Sequence, residues 1–438
     1  MTKGRPWRLI AGFALPVLLS QIFQQLYNTA DTLIVGRFLG DGALAAVSSS
    51  GPLIFLLVSF FEGLTLGAGI AISRYFGAGD DARVERAIHT NIVVSFLSGI
   101  ALSVFGVLLT PSILRWMGTD PEVLPEAISY FRYYFAGVLA VVLYNACKSI
   151  MNALGDSKRP LYYLLLSSAT NVALDILFIG GFRWGVWSAA VATVISQAIS
   201  VVLCLMQLSR KTARYRLQWA KLRIDREMLG QIVRYGLPSG IGFANVIVQA
   251  NINTFGKIAI AACGTYSKLE GFAFLPITSF TMALTTYTSQ NLGAREYGRA
   301  KKGARFGIVC AMILAEFIGF AMYAFMPYLA GFFSSTPEVI RLATNQTRTI
   351  SLFYCLLAYS HAVSSVLRGA GKAFVPMAVM LAIWCVLRIT YITLIMQYSH
   401  ELRFLYYAYP LTWSISSVIF FLYYHRSDWV HGFECAKS

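Results

Sequence analysis

Four polar side chains in the first half of the chain are of types that can bind a cation. Asp31 lies near the end of the first long apolar segment, Asn171 and Asp175 lie four residues apart in the fifth, and Thr193 lies in the sixth. The i, i+4 spacing places Asn171 and Asp175 on one face of a helix. Carboxylate, amide and hydroxyl oxygens suit Na⁺, while two neighbouring carboxylates suit the uptake and release of H⁺. The sequence leaves both ions open.

Each acidic residue also has a simpler structural interpretation. Asp31 can pair with Arg37 at the end of its helix, and Asp175 can accept a hydrogen bond from a neighbouring helix. We favour the cation site, because an ionisable side chain in the middle of a membrane costs at least about 2.5–3.5 kcal/mol and usually has a function.

Long apolar segments carry these side chains. Of the 438 residues, 57% are hydrophobic and 13% are charged, whereas about 25% of a typical soluble protein is charged. About 20 apolar residues in a helix cross a bilayer. The pattern predicts an all-α polytopic membrane protein with about twelve transmembrane helices, near residues 9–38, 43–76, 86–109, 123–153, 158–180, 185–208, 228–260, 264–292, 300–326, 338–368, 374–397 and 402–424.

The candidate cation ligands are expected at similar depths. Asp175 and Thr193 are each nine residues from residue 184, the middle of the turn between the fifth and sixth segments. At a rise of about 1.5 Å per residue, both lie ~13 Å from the turn, and Asp31 lies ~10 Å from the end of its own segment. The sequence therefore predicts one site in the outer half of the bilayer.

The chain repeats itself. Three anchors recur in order at an almost constant separation: Pro16 with Pro238, Gly77 with Gly293, and Pro160 with Pro376. Since each half holds an even number of spans, we expect two parallel six-helix lobes related by a pseudo-two-fold axis along the membrane normal. The predicted division is an N-terminal lobe at 1–209 with the cation site, a basic cytoplasmic loop at 210–226 and a C-terminal lobe at 227–438.

Basic residues alternate between the two ends of the predicted spans. Arg83 and Lys301 belong to the richly basic set of loops, whereas Arg183 and Arg341 belong to the poorer set. Because cytoplasmic loops carry the excess of Lys and Arg, both termini are expected in the cytoplasm. The net charge of +16 is therefore explained by membrane topology, and no nucleic-acid partner is expected. We expect a monomer in the cell (inner) membrane.

Six short motifs along the whole chain resemble those of the multidrug and toxic compound extrusion (MATE) family: Leu15-Pro16, Tyr27 to Thr32, Gly36 to Gly40, Leu154 to Lys158, Asn171 to Asp175, and Leu367 to Gly371. The resemblance implies an antiporter that exports organic, often cationic and amphipathic, drugs or toxic compounds in exchange for H⁺ or Na⁺. It implies alternating access between two lobes and no cofactor besides the coupling ion.

The resemblance also assigns roles to residues. Asp31, Asn171, Asp175 and Thr193 match the family's N-lobe cation site, and Asn145 matches a neighbouring polar position. Pro16 matches a proline at which the first span bends in some members, although it can equally be a fixed kink.

The second half departs from the branch of the family typified by NorM. No acidic residue lies between Glu227 and Glu270 or between Glu338 and Glu401, where that branch carries a second cation site. The chain therefore resembles the DinF-like branch. Glu270 and Tyr266 are candidates for the substrate cavity, and the alternative is that Glu270 pairs with Lys268.

The sequence disfavours two other functions. A flippase for a lipid-linked precursor would use a related fold, but the diphosphate of such a precursor favours basic residues where this chain offers carboxylates. An enzyme is disfavoured because the five histidines are scattered, and neither HExxH nor a GxxxxGK[ST] phosphate loop occurs.

Overall fold

The computed structural model describes residues 1–40, 43, 46–47, 51–116, 119, 121–210, 215–236, 248, 251–252, 255–334, 336–399 and 401–433, with backbone alone at 51–60, 62 and 257. These residues form helices and connecting turns, without a strand. The helices are α1 Pro6–Leu39, α2 Gly51–Ala78, α3 Asp81–Trp116, α4 Leu124–Ala136, α5 Val138–Ala153, α6 Lys158–Asp175, α7 Trp187–Leu208, α8 Arg226–Gly236, α9 Gly256–Gly293, α10 Tyr297–Gly331, α11 Pro337–Ile350, α12 Tyr354–Gly369, α13 Phe374–Val379, α14 Arg388–Tyr398 and α15 Leu402–Arg426.

Eleven of the twelve predicted spans coincide with these helices to within several residues. Eight helical segments within the described ranges are long and apolar enough to cross a membrane, and α4 with α5, which meet at 47°, make a ninth. The start of the seventh predicted span, 228–260, belongs to α8 and its last residues belong to α9, while most of the residues between them lie outside the described part of the chain. The all-α membrane fold is confirmed.

The helices expose apolar side chains instead of hiding them. On α10, Ile313 is 65% exposed and Phe317 is 70% exposed, and Phe105 and Leu108 on α3 are exposed to a similar extent. A soluble protein rarely exposes such long apolar surfaces. In a bilayer these side chains face lipid at no cost, because lipid tails are as apolar as they are.

Small residues allow helices to approach closely. A Cβ atom added to Gly67 on α2 would lie 2.3 Å from the carbonyl oxygen of Ile232 on α8, and one added to Gly236 would lie 2.6 Å from the carbonyl oxygen of Gly63. The α2 and α8 backbones are thus in direct contact, as is common where small residues line membrane helix interfaces.

Contacts divide the chain into two compact units, which we call the N-terminal unit (residues 19–240) and the C-terminal unit (residues 1–18 and 241–438). The division falls within α1, after Leu18. Residues 215–225 contact other parts of the N-terminal unit: the Tyr215 hydroxyl donates to Asp81 at 2.7 Å, and Arg86 pairs with Asp225 at 3.3 Å. The predicted lobes at 1–209 and 227–438 stay a prediction.

Candidate functional site

The carboxyl groups of Asp31 on α1 and Asp175 on α6 face each other inside the N-terminal unit. Asp31 is 8% exposed and Asp175 is fully buried. Oδ1 of Asp31 and both carboxylate oxygens of Asp175 make no well-aligned hydrogen bond to any described residue. Asp31 also forms no ion pair with Arg37 in the described part of the chain. Both structural interpretations of these acids therefore lack support, and a pair of buried carboxylates without partners is what the structure places here.

Asn171 lies one turn before Asp175 on the buried face of α6, as the i, i+4 spacing predicts. Its side chain is fully buried, and neither the amide oxygen nor the amide nitrogen has a hydrogen-bond partner among the described residues. Buried polar atoms are nearly always paired in proteins, so each unpaired one needs an explanation. Several of them in one cluster indicate a binding site.

Hydrogen bonds fix the register of α6 against α7. Ser167 donates to the carbonyl oxygen of Ser196 at 2.8 Å, and Ser200 donates to that of Tyr163 at 3.1 Å. Continuing this register places Thr193 level with Asn171 and not with Asp175. The predicted equal depth of Asp175 and Thr193 is therefore wrong by about one helical turn.

A π-helical segment lies between Asp175 and the turn to α7. Residues Ile176–Gly181 continue α6 as a π-helix directly after Asp175, and the turn to α7 follows. The symmetric count from residue 184 assumed a regular α-helix on both sides. Single π-helical turns inside helices occur frequently at functional sites, and here the segment begins at the carboxylate that the site depends on.

Three further polar side chains adjoin the carboxylates. The hydroxyl of Tyr27, one turn before Asp31 on α1, faces Gln197 on α7. Tyr130 on α4 is 5% exposed and lies close to both Asp31 and Asp175. Tyr27 belongs to a motif singled out in the sequence, but Tyr130 does not, because the aromatic run from Tyr130 to Phe135 gives no sign of which ring turns inward.

The donor set fits a small hard cation. Asp31 and Asp175 supply carboxylate oxygens. Asn171 supplies an amide oxygen, and Thr193, which is 9% exposed, supplies a hydroxyl. A set of negatively charged and neutral oxygen ligands suits Na⁺, and the carboxyl pair alone suits H⁺. Asn145 lies half-buried on α5, and its side chain makes no hydrogen bond to the residues that the structure describes. The cation-binding role of all five stays a prediction.

Pro16 lies inside α1, which is one continuous helix from Pro6 to Leu39. Proline removes one backbone hydrogen bond from a helix, so the helix is easiest to bend at that residue. The bend of α1 at Pro16 stays a prediction.

Glu270 and Tyr266, the candidates for the substrate cavity, lie one turn apart on α9. The Tyr266 hydroxyl donates to Oε1 of Glu270 at 2.8 Å and contacts the Tyr354 hydroxyl at 3.3 Å. Glu270 lines a cavity of about 390 Å³ within the C-terminal unit. Tyr266 is buried behind Glu270 and does not line that cavity. Lys268 extends over the ring of Phe333 and forms no ion pair with Glu270 among the described side chains.

Two further acidic residues, Glu62 and Glu316, lie in the second and ninth predicted spans. Oε2 of Glu316 on α10 accepts a hydrogen bond from the backbone N–H of Cys355 at 2.9 Å, so Glu316 caps the start of α12. The side chain of Glu62 lies outside the described residues.

The sequence profile of the MatE family matches residues 16–177 and 240–394, which is most of the chain in two blocks. The chain belongs to the MatE family. As a MatE protein it is a multi-pass membrane transporter and not an enzyme. The two matched blocks, one in each half, agree with the internal repeat read from the sequence.

Individual relatives align with most of this chain. The probable multidrug resistance protein YoeA of Bacillus subtilis (strain 168) is 31% identical over 440 residues, covering 96% of this chain and 94% of that protein. An FAD transporter of Shewanella oneidensis is 24% identical and covers 76% of this chain and 75% of its own. A solved MATE structure in a bent conformation superposes with a TM-score of 0.91 at 23% identity, covering 99% of this chain and 98% of that chain.

Proposed function

We propose that this protein exports organic compounds, often cationic and amphipathic drugs or toxic compounds, in exchange for H⁺ or Na⁺. One observation carries the proposal: the carboxyl groups of Asp31 and Asp175 face each other in the N-terminal unit, buried and without other partners. A multidrug resistance protein among the relatives supports drugs as substrates. A relative described as an FAD transporter supports a range of substrates that is wider than drugs.

The chemistry of the site supports coupling to a cation. Two buried negative charges repel each other, and this repulsion is strong where water is excluded. A cation bound between Asp31 and Asp175 removes the repulsion, and its release restores it. The site therefore has two states of very different energy, which is the property that ion-coupled transport requires. Asn171 and Thr193 add neutral oxygens that favour Na⁺ over H⁺ if both ligate the ion.

Alternating access needs an element that differs between the two states of the site. Pro16 lies on the same helix as Asp31, so a bend of α1 at Pro16 is the proposed link between the cation site and the conformational change. The protein is proposed to work as a monomer in the inner membrane, with both termini in the cytoplasm. The flippase alternative gains no support from the relatives.

Export of a fluorescent organic cation tests the function. Cells with and without the protein are loaded with ethidium, and efflux is followed while the pH gradient and the Na⁺ gradient are collapsed separately. Efflux above that of control cells, which stops when one of the two gradients is collapsed, supports the proposal and identifies the ion. Efflux that survives the loss of both gradients and follows ATP instead would show that the coupling is wrong.

A further inference from the structure

The cavity in the C-terminal unit contains both an acid and a base. Glu270 on α9 and Arg388 at the start of α14 line the same space of about 390 Å³, a volume typical of sites for small organic molecules. Among the described residues, the two side chains form no ion pair with each other. Opposite charges in apolar surroundings normally close on each other, because each is costly to bury alone. Here the cavity separates them.

The neighbours of Arg388 hold its side chain in place without accepting from all of its hydrogen-bond donors. It is 4% exposed, its Nη2 donates to Thr412 at 2.8 Å, and its guanidinium lies over the rings of Tyr409 at 4.6 Å and Trp384 at 5.6 Å. The buried Nε–H has no hydrogen-bond partner within the described part of the chain. The guanidinium is thus fixed by its neighbours, and Arg388 lines the cavity; a planar cation held in this way suits the binding of a carboxylate.

Acceptors line another part of the cavity wall. Among the described residues, Oε1 of Glu270 accepts a hydrogen bond from the Tyr266 hydroxyl. Gln346 on α11 is 3% exposed, and its Oε1 has no partner among the residues described. A carboxylate and an amide oxygen together suit a protonated amine, because its N–H groups are donors to both.

Aromatic rings form the walls between these polar groups. Trp384 is fixed by a hydrogen bond from its Nε1 to Ser416 at 3.1 Å, and the His361 ring packs between Phe274 at 5.0 Å and Trp384 at 5.1 Å. Nε2 of His361 has no partner in the described structure. Fixed rings favour a flat aromatic body, which stacks with little loss of side-chain entropy.

We infer that this cavity is a binding site for flat aromatic zwitterions, with the carboxylate on Arg388 and the amine on Glu270 and Gln346. The inference rests on the proposed export function only in that the ligand would be a substrate. Binding itself is independent of ion coupling and of the cation site in the N-terminal unit.

Three matched naphthalenes distinguish the zwitterion from its two halves. 6-(Aminomethyl)-2-naphthoate carries both charges, 2-naphthoate carries the negative one and 2-(aminomethyl)naphthalene the positive one. Calorimetric titration of the purified full-length protein in lipid nanodiscs, without any gradient, is expected to show that the zwitterion binds about tenfold or more tightly than either single-charge compound, the scale of one charge-assisted hydrogen bond.

A cavity-filling variant tests the location. Gly271 lines the cavity, and a Cβ atom there would meet no atom within 4 Å. Gly271→Leu therefore places a bulky side chain at the cavity wall and should abolish binding of the zwitterion. Gly264 on the same helix is equally open but does not line the cavity, so Gly264→Leu is the matched control and should bind normally. Both replacements remove a helical glycine, which favours folding.

Charge variants test the orientation. Arg388→Gln should weaken zwitterion binding to about the level of the amine alone, and Glu270→Gln to about the level of the naphthoate alone. Equal binding of all three compounds, no binding of the zwitterion, or binding that survives Gly271→Leu would each overturn the inference. If the protein binds the zwitterion but does not export ethidium, the proposed transport function is contradicted and the inferred binding site is not.

Discussion

Asp31 and Asp175 come from helices that are about 140 residues apart in the sequence, yet their carboxyl groups face each other without another charged partner among the described residues. A structural ion pair would have placed a basic side chain beside them. The arrangement instead makes each carboxylate dependent on the other and on whatever cation binds between them.

We therefore expect Asp31→Asn to lower the rate of coupled export by at least about tenfold, while the expression level stays near that of the wild type. The amide keeps the volume of the side chain and removes the charge that binds the cation, and losing a charge does not hinder membrane insertion. Asp175→Asn should behave in the same way. Glu338→Gln, at an exposed pair with Arg341, is the control. Normal export by a well-expressed Asp31→Asn protein would eliminate the N-terminal cation site.

Tyr130→Phe should weaken the affinity for the coupling ion by roughly two- to tenfold and leave the maximal rate nearly unchanged. The substitution removes one neutral hydroxyl beside the two carboxylates, and one such group contributes about 0.5–1.5 kcal/mol. Tyr133, one turn away in the same helix, is 48% exposed, so Tyr133→Phe is the matched control. Ion-dependence curves of export measure both. An identical shift in the two variants would mean that Tyr130 has no part in the site.

The distribution of basic residues predicts that positions 83 and 301 face the cytoplasm and positions 183 and 341 the outside. Single cysteines at these positions, in a background without the native cysteines, can be treated with a membrane-impermeant thiol reagent in intact cells. Labelling is expected at 183 and 341 only. Labelling at 301 but not at 183 would reverse the orientation.

Asp225→Asn should detach the segment 215–225 from the N-terminal unit. The Asp225 carboxylate accepts from the backbone N–H of Met228 at 3.1 Å and pairs with Arg86 at 3.3 Å, and these contacts lower the pKa of Asp225 below its usual value. A lowered pKa means that the stabilisation is present at neutral pH and is lost only as the pH falls through that pKa, below about 4.

Trypsin cleavage after Arg223 measures the detachment. We expect cleavage to become several times faster in Asp225→Asn at neutral pH, and hydrogen exchange around Met228, corrected for its intrinsic rate, to be constant between pH 5 and 8 in the wild type. Asp156→Asn, at a separate ion pair with Arg159, is the control. Equal cleavage of both variants, or protection that changes between pH 5 and 8, would contradict the assignment.

Gly236→Val should destabilise the protein by about 1–3 kcal/mol, the usual cost of overpacking. A Cβ atom at Gly236 collides with the backbone of α2, whereas one at Gly230 in the same helix meets nothing within 4 Å. Thermal unfolding in detergent should therefore give a lower midpoint for Gly236→Val than for Gly230→Val. Equal midpoints would show that α2 and α8 do not pack as described.

Much of the fold can be predicted from short segments of the sequence taken one at a time. A run of apolar residues, ended by Gly, Pro or charges, fixes where a helix crosses the membrane, because burying polar backbone in lipid leaves no alternative to a helix. The predicted bounds 123–153 and 374–397 consequently match α4 with α5 and α13 to α14 closely. The spacing of Asn171 and Asp175 on one face also follows from one helix alone.

The tertiary structure decided which helix faces meet and at what level. A helix that is apolar on every side gives no sign of which side turns inward, so the sequence did not distinguish Tyr130 from Tyr133. The level of Thr193 depends on the register of α6 against α7, which hydropathy does not record. The cavity between Glu270 and Arg388 joins residues more than 100 positions apart, and only the packing of α9 against its neighbours within the C-terminal unit brings the two charges to one space while keeping them from closing on each other.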